Sequence, residues 1–144
     1  MRKLLFIMKK LIYLFLTILL FSCGGNDDNS SNNVSINPPS WIQGVWINPE
    51  LQSLGIRIGY EFKTDNFCYV QSNINNCYKE QVALFADADG DNAEVQENIT
   101  NDSYSIDIRL IGGTTSYVFE KVSNSRILLK NANGQDQDTF LDRE

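Results

Sequence analysis

Apolar and polar residues alternate with a period of two along three long stretches of the chain. In residues 56–63 the even positions are Ile, Ile, Tyr and Phe, and the odd positions are Arg, Gly, Glu and Lys. Residues 104–110 repeat the pattern, and in residues 115–122 Tyr117 and Phe119 oppose their sequence neighbours. Because successive side chains of a strand point to opposite faces, this pattern predicts β-strands with one apolar face.

Turn signals separate these stretches and mark further strands. Gly112-Gly113 and Asn133-Gly134 are typical hairpin turns, and Ser123-Asn124 indicates another turn. Other strand-like segments are residues 41–47, 67–71, 127–130 and 139–141. Residues 78–86 fit either a strand or a short helix, because Lys, Glu, Gln and Ala there favour helix. We therefore predict an all-β domain, an antiparallel meander of about eight strands that closes into a small barrel.

Gly44 and Trp46 stand at the start of the first predicted strand, after a Pro-Pro-Ser-Trp stretch. This Gly-x-Trp motif resembles that of the lipocalin-like family, whose Trp closes one end of an eight-stranded barrel. The resemblance covers residues 41–141 and implies that an Arg of the last strand stacks on the Trp. Arg126 and Arg143 are both candidates for that role. The domain is shorter than a full lipocalin, which favours short strands and an interior filled by side chains without a ligand cavity. A shared fold does not carry function with it.

Residues 1–22 have the layout of a secretory signal peptide. Basic residues at positions 2, 3, 9 and 10 precede an apolar run over residues 11–21, followed by Ser22 and Cys23. The run is too short for a bilayer-spanning helix, which needs about 20 apolar residues. The Leu-Phe-Ser-Cys segment ending at Cys23 resembles a bacterial lipobox, which implies cleavage before Cys23 and lipidation of its thiol. The alternatives are an ordinary signal peptide or an uncleaved anchor helix.

The same resemblance implies a cell-envelope localisation. Gly24 follows Cys23, where many lipoproteins of the inner membrane carry Asp, so we expect an outer-membrane lipoprotein. Asp27 and Asp28 are similar to acidic export tags of lipoproteins displayed on the cell surface, although they fit a soluble linker equally well. Two or three acyl chains hold a protein on a membrane essentially permanently.

Composition divides the rest of the chain into a tether and one domain. Residues 23–39 contain almost no apolar side chains and are predicted to be a disordered tether. Residues 40–144 suit one small domain. Removing residues 1–22 takes away four basic residues and no acidic one, which leaves 8 basic and 18 acidic residues over 122. This net charge of −10 argues against binding to nucleic acid or to an anionic membrane surface.

Cys68 and Cys77 flank a turn-rich segment rich in Asn. With Cys23 lipidated, these two residues are left as the one possible intramolecular pair. The cell envelope is oxidising, so we predict a structural disulfide between them. A redox or metal pair is the alternative, but the spacing is not Cys-x-x-Cys.

Candidate chemistry is sparse in this sequence. The chain has no His, and it shows no phosphate loop or nucleophile elbow, so we predict that it is not an enzyme and holds no cofactor. Asp87, Asp89 and Asp91 form a weak candidate Ca²⁺ site, with Glu94 and Glu97 as further ligands. Asn residues occupy the positions where an EF-hand loop needs Gly and Glu, and a solvated acidic turn is the simpler interpretation.

The predicted barrel, its aromatic residues and the acidic charge of the chain lead to two hypotheses of function. Tyr60, Phe62, Tyr117 and Phe119 would point into the barrel, either as core or as the lining of an apolar pocket. The first hypothesis is a lipid-anchored, non-enzymatic module that binds a small apolar molecule or a glycan. The second is a protein-interaction role, such as an envelope assembly subunit or an inhibitor or immunity protein, because an acidic surface steers toward a basic partner.

Overall fold

The structure is a computed structural model that describes residues 34–89, 93–130 and 138–144. The strands are β1 (Gly44–Ile47), β2 (Ile58–Phe62), β3 (Phe67–Gln71), β4 (Ile74–Cys77), β5 (Glu94–Ile99), β6 (Ser103–Leu110), β7 (Gly113–Lys121), β8 (Arg126–Lys130) and β9 (Thr139–Arg143). The helices are α1 (Pro49–Ser53) and α2 (Tyr78–Asp89). Neither of these helices is long and apolar enough to cross a membrane. The predicted signal peptide, Cys23 and most of the predicted tether lie outside the described residues.

The strands form one antiparallel sheet in the order β4-β3-β2-β1-β9-β8-β7-β6-β5. Strands that follow one another along the chain are neighbours in the sheet, except β4 and β5, which lie at its two edges. In addition, β1 pairs with β9. The sheet curls into a half-barrel whose edge strands are β4 and β5, and α2 connects the two edges. The predicted all-β meander is confirmed, with nine strands in place of about eight.

The turns of the meander lie at two ends of the half-barrel. At the proximal end the chain enters β1, and this end carries the turns at residues 63–66, 100–102 and 122–125. The distal end carries α1 and its flanking residues 48–57, together with the turns at residues 72–73 and 111–112. Helix α2 starts after β4 at the proximal end and leads toward β5, which starts at the distal end.

Large apolar side chains fill the interior of the half-barrel. The largest of them are at most 2% exposed: Trp46, Phe62, Phe67, Tyr104 and Phe119. Burial of a side chain of this size stabilises a fold by about 1.5–3 kcal/mol. The alternation predicted for β6 is present, because Tyr104, Ile106 and Ile108 are buried while Asp107 and Arg109 are exposed.

The segment before β1 packs against the proximal end. Ile36 and Ile42 are fully buried in the core. The backbone N–H of Asn37 donates to both carboxylate oxygens of Glu97, at 2.9 and 3.0 Å. The indole N–H of Trp41 donates to the carbonyl oxygen of Thr100. Residues 34–42 are therefore part of the fold, although the sequence places residues up to 39 in a tether.

Helix α2 resolves the alternative that residues 78–86 left open. Val82 and Ala86 are buried and lie one and two turns after Tyr78, so one side of the helix packs on the core. The Asn66 side chain accepts from the backbone N–H of Lys79 and donates to the Glu80 carboxylate, which anchors the start of the helix.

Three local predictions need correction. No strand was predicted for β4 or β5, because their sequences are polar and show no alternating apolar face. Ile56, predicted to point into the core, precedes β2 and is 45% exposed. The strand-like segment at residues 41–47 is a strand only from Gly44, where the Gly-x-Trp motif opens it, because residues 39–42 form a turn in which the Ile42 N–H donates to the carbonyl oxygen of Pro39.

Candidate functional site

Trp46 and Arg143 form the barrel-end arrangement that the Gly-x-Trp motif implies. Trp46 is fully buried, and its indole N–H donates to the carbonyl oxygen of Ile42. Arg143 faces Trp46 in the β1–β9 register, and its guanidinium carbon lies 4.3 Å from the centroid of the ring. Of the two candidates, Arg143 and not Arg126 is therefore the arginine that stacks on Trp46.

Three backbone carbonyl groups hold the Arg143 guanidinium over the ring. Its Nη1, Nη2 and Nε donate to the carbonyl oxygens of Gln43, Trp41 and Asn124 at 3.0, 3.1 and 3.1 Å. Gly44 has a φ of +122°, and a Cβ at this position would lie 3.2 Å from Nη1 of Arg143. Position 44 thus needs Gly both for its backbone conformation and for the close approach of the guanidinium.

Arg126 has a different role on the outer face of the sheet. It faces Asp142 in the β8–β9 register and donates two hydrogen bonds to that carboxylate. Its guanidinium carbon also lies 5.6 Å from the centroid of the Phe140 ring. This fork-like pair lowers the pKa of Asp142 below its usual value, because the hydrogen bonds from Arg126 favour the carboxylate.

The four aromatic residues of the candidate pocket lie in the packed core. The Tyr60 ring centroid is 5.6 Å from that of Tyr117 and 5.5 Å from that of Phe119. Phe62 and Phe119 are 4.9 Å apart, edge to face. Phe67 fills the remaining space, at 5.2 Å from Tyr117 and 5.1 Å from Phe62. Rings at these separations are in direct contact, so the four side chains occupy the volume that a ligand would need.

Three depressions lined by described residues lie on the surface. A depression of about 160 Å³ on the outer face of β5, β6 and β7 is lined by Glu94, Gln96, Asp107, Arg109 and Thr114. Two further depressions adjoin α1 and the β7–β8 turn. None of these three depressions is lined by an aromatic residue of the predicted pocket.

Buried tyrosine hydroxyls are paired inside the core. The hydroxyl oxygens of Tyr78 and Tyr117 are 2.7 Å apart, and Tyr104 donates to the Glu97 carboxylate at 2.6 Å. Burial raises the pKa of Tyr104 well above its usual value of 10.0, and the adjacent Glu97 adds to the effect. Burial also raises the pKa of Tyr117, with a further contribution from the Tyr78 hydroxyl. These groups act as neutral hydrogen-bonding partners at physiological pH.

Cys68 and Cys77 form the predicted disulfide. They face each other in the β3–β4 register, which brings both side chains to the same face of the sheet. The bond ties the edge strand β4 to the sheet just before α2 begins. Its place between two strands supports a structural role.

The structure describes only part of the acidic segment that was the candidate Ca²⁺ site, residues 87–91. Asp87 and Asp89 lie in the last turn of α2 rather than in a loop, and Asp91 lies outside the described residues. The Glu97 carboxylate accepts hydrogen bonds from the Asn37 backbone N–H and the Tyr104 hydroxyl. Glu94 forms an ion pair with Arg109 at 2.6 Å. In residues 34–89, 93–130 and 138–144, no group of three or more potential metal ligands is close enough to hold an ion. Glu94 and Glu97 are therefore engaged in contacts within the protein.

The basic side chains of the domain are largely neutralised. The ion pairs of the described residues are Arg57–Glu144, Lys63–Glu61, Lys79–Asp65, Arg109–Glu94, Arg126–Asp142 and Lys130–Asp138. Arg143 is engaged with Trp46. Because acidic residues exceed basic ones in this part of the chain by 14 to 8, carboxylates make up the excess surface charge.

Exposed aliphatic residues lie at the distal end, and the sequence pattern did not predict them. Leu54 is 73% exposed, Ile74 is 63% exposed and Ile56 is 45% exposed. A signal was available in principle, since Leu54 precedes Gly55 and Ile74 stands among polar turn residues.

The chain matches no protein-family model, no curated protein and no solved structure.

Proposed function

We propose that this protein is a lipid-anchored lipoprotein of the cell envelope whose β domain binds another protein. The N-terminal basic, apolar and Cys-terminated pattern supports the anchor at Cys23 and an outer-membrane location. The domain would then act as a non-enzymatic module held at the membrane.

The observation that carries this proposal is the filled interior. Tyr60, Phe62, Tyr117 and Phe119 contact one another and occupy the centre of the half-barrel. A pocket for a small apolar ligand typically has a volume of about 300–1,000 Å³. Opening such a volume here would separate aromatic rings that stabilise the fold, so recognition at the outer surface is favoured.

The surface charge supports a protein partner with a basic surface. Ion pairs within the domain already neutralise most of the described arginine and lysine side chains. The surplus carboxylates would accelerate encounter with a positively charged partner and disfavour acidic ones. Nucleic acid and anionic lipid are unsuited to such a surface for the same reason.

The test combines localisation with capture of the partner. Wild-type protein and the Cys23→Ser variant are expressed in cells, and the envelope is fractionated and treated with a chemical cross-linker. We expect the wild-type protein in the outer-membrane fraction, with added lipid mass and with cross-linked protein that decreases as salt is raised. The absence of any cross-linked protein at both low and moderate salt would contradict the proposal. A lipid-free protein in the cytosol would contradict the anchor.

A further inference from the structure

The depression beside α1 brings an exposed aromatic ring and carboxylate groups together. It has a volume of about 340 Å³ and lies between the start of α1 and the start of β9. Its lining residues are Asn48, Pro49, Glu50, Asp138, Thr139 and Phe140. An aromatic face attracts a cation, and carboxylate oxygens accept hydrogen bonds from it. The composition of this depression therefore suits a cationic side chain.

Phe140 extends the depression into an apolar surface on the outer face of the sheet. Its side chain is 50% exposed, and it points away from the core because its neighbour Leu141 is buried on the inner face. The half-buried Leu128 of β8 faces Phe140 in register, so the two side chains lie next to each other. The guanidinium carbon of Arg126 is 5.6 Å from the centroid of the Phe140 ring. The ring thus contacts one cation already and is open to a second from the side of the depression.

Glu50 and Glu120 place negative charge on either side of this apolar surface. Glu50 lines the depression next to β9, and Glu120 of β7 faces Leu128 in register. Both glutamates are exposed, and neither forms an ion pair within the described part of the chain. The cations of this surface are in ion pairs: Arg126 with Asp142 and Lys130 with Asp138. Two carboxylates are therefore in excess around an apolar centre, and a basic surface is the complementary one.

The start of α1 does not turn the depression into an anion site. The Asn48 side-chain oxygen accepts from the backbone N–H groups of Glu50 and Leu51 at 2.9 and 3.0 Å, and Pro49 has no N–H to offer. What α1 presents to the depression is therefore the Glu50 carboxylate. An anionic ligand would lie against this carboxylate and that of Asp138, so a phosphate or an anionic lipid is disfavoured.

We propose that the protein partner places an Arg or Lys side chain in this depression and packs an adjacent apolar residue on Phe140 and Leu128. We call the four residues that receive it the β9 docking surface: Glu50, Glu120, Leu128 and Phe140. The inference rests on the proposed protein-binding function and specifies where binding occurs. Arg suits the site best, because a planar guanidinium stacks on a ring while its N–H groups donate to a carboxylate. A second copy of this chain is disfavoured, because a two-fold interface would bring the same carboxylates of both copies together.

The test starts by locating the partner on the surface of the full-length protein in cells. A photo-cross-linking derivative of phenylalanine replaces Phe140, or Ile99 as the matched control, which is 46% exposed and lies at the proximal end of β5. We expect a protein to be captured from position 140 and not from position 99. Mass spectrometry of the cross-linked peptide should find an Arg or Lys beside an apolar residue.

The captured protein is then purified, and its Kd is measured for single variants of the β9 docking surface. Glu50→Gln is expected to raise the Kd about fivefold or more and to make it less dependent on salt, because one charge pair is lost. Phe140→Leu keeps an apolar side chain without the aromatic face and is expected to raise the Kd about threefold or more. Asp107→Asn removes an exposed carboxylate of β6 and should bind like wild type. Urea denaturation checks that all three variants remain folded.

Capture only from position 99, or an unchanged Kd for Glu50→Gln or Phe140→Leu, would overturn the docking surface but leave the protein-binding function intact. Capture from position 140 of a glycan, a lipid, a second copy of the chain or a peptide without Arg and Lys would overturn the proposed occupant. Capture of no protein from either position would also overturn the docking surface. It would contradict the protein-binding function as well if chemical cross-linking of the wild-type protein finds no partner.

Discussion

Arg143 and Trp46 face each other across the β1–β9 pair, with the guanidinium carbon 4.3 Å from the centroid of the indole ring. The contact joins the first and last strands of the meander, which are 97 residues apart in the sequence. A guanidinium over an aromatic face is attracted by the ring quadrupole. Three backbone carbonyl groups add hydrogen bonds that only a planar fork can satisfy together.

Arg143→Ala is therefore expected to lower the free energy of unfolding by about 1–3 kcal/mol. Arg143→Lys should recover only part of this loss, because an ammonium group cannot reach the three carbonyl oxygens. Urea denaturation measures the effect. The control is Arg126→Ala, which removes a solvent-exposed ion pair on the outer face and should lower the free energy of unfolding much less. Equal decreases in the free energy of unfolding for the two alanine variants would show that stacking on Trp46 adds no more stability than an exposed ion pair.

Gly59→Ala is expected to be strongly destabilising, by about 3 kcal/mol or more. An added Cβ at Gly59 would lie 1.9 Å from the carbonyl oxygen of Trp46, which is a backbone atom that cannot move without disturbing β1. Gly113→Ala is the matched control, because no atom lies within 4 Å of its added Cβ. Thermal denaturation should show a large decrease in Tm for the first variant and little change for the second. A stable Gly59→Ala protein would contradict the β1–β2 register.

Loss of the disulfide should lower stability without changing the fold. Linking Cys68 to Cys77, nine residues apart, stabilises the domain by about 2–3 kcal/mol in the chain-entropy model. The Cys68→Ser, Cys77→Ser double variant should show this loss in urea denaturation under oxidising conditions. Adding a reductant should bring the wild-type protein to the same stability and leave the variant unaffected. A wild-type protein insensitive to reductant would contradict the prediction.

The buried tyrosines predict a loss of stability in alkali. Burial raises the folded-state pKa of Tyr60, Tyr104 and Tyr117 above the usual 10.0. Above about pH 10 the unfolded chain therefore releases protons that the folded protein retains, and unfolding becomes more favourable as pH rises. The stabilisation is fully present below that pH. Urea denaturation over a pH series should show a decline beginning near about pH 10, and it should be shallower for Tyr104→Phe. Tyrosinate absorbance that appears in full before unfolding would contradict the assignment.

Local patterns were sufficient to predict most of the sheet. Strand periodicity is a property of the backbone, because every strand with one buried face repeats it, and β6 and β7 follow it closely. The edge strands β4 and β5 were missed because an edge strand is largely exposed, which removes the apolar alternation. Helix α2 was ambiguous for a related reason, since its buried residues are few and only their packing on the core selects helix over strand.

In the candidate site, too, some features follow from local sequence and others depend on tertiary contacts. The Gly-x-Trp motif and the two cysteines are local features. The two cysteines form the predicted disulfide, and the Trp of the motif contacts Arg143. The choice between Arg126 and Arg143 depends on which of them faces Trp46, and that follows from the pairing of β9 with β1. Whether Tyr60 and Phe119 line a cavity or fill it depends on the curvature of the sheet, which brings β2 and β7 into contact.

By itself, the sequence determined the antiparallel meander, the disulfide pair and the Trp at the barrel end, because strand alternation, turn chemistry and a short Cys spacing depend on residues close along the chain. Only the tertiary structure decided which arginine covers Trp46 and that aromatic rings fill the interior. These features depend on strand register and sheet curvature. Both arise from contacts between residues far apart in the sequence, which no local pattern encodes.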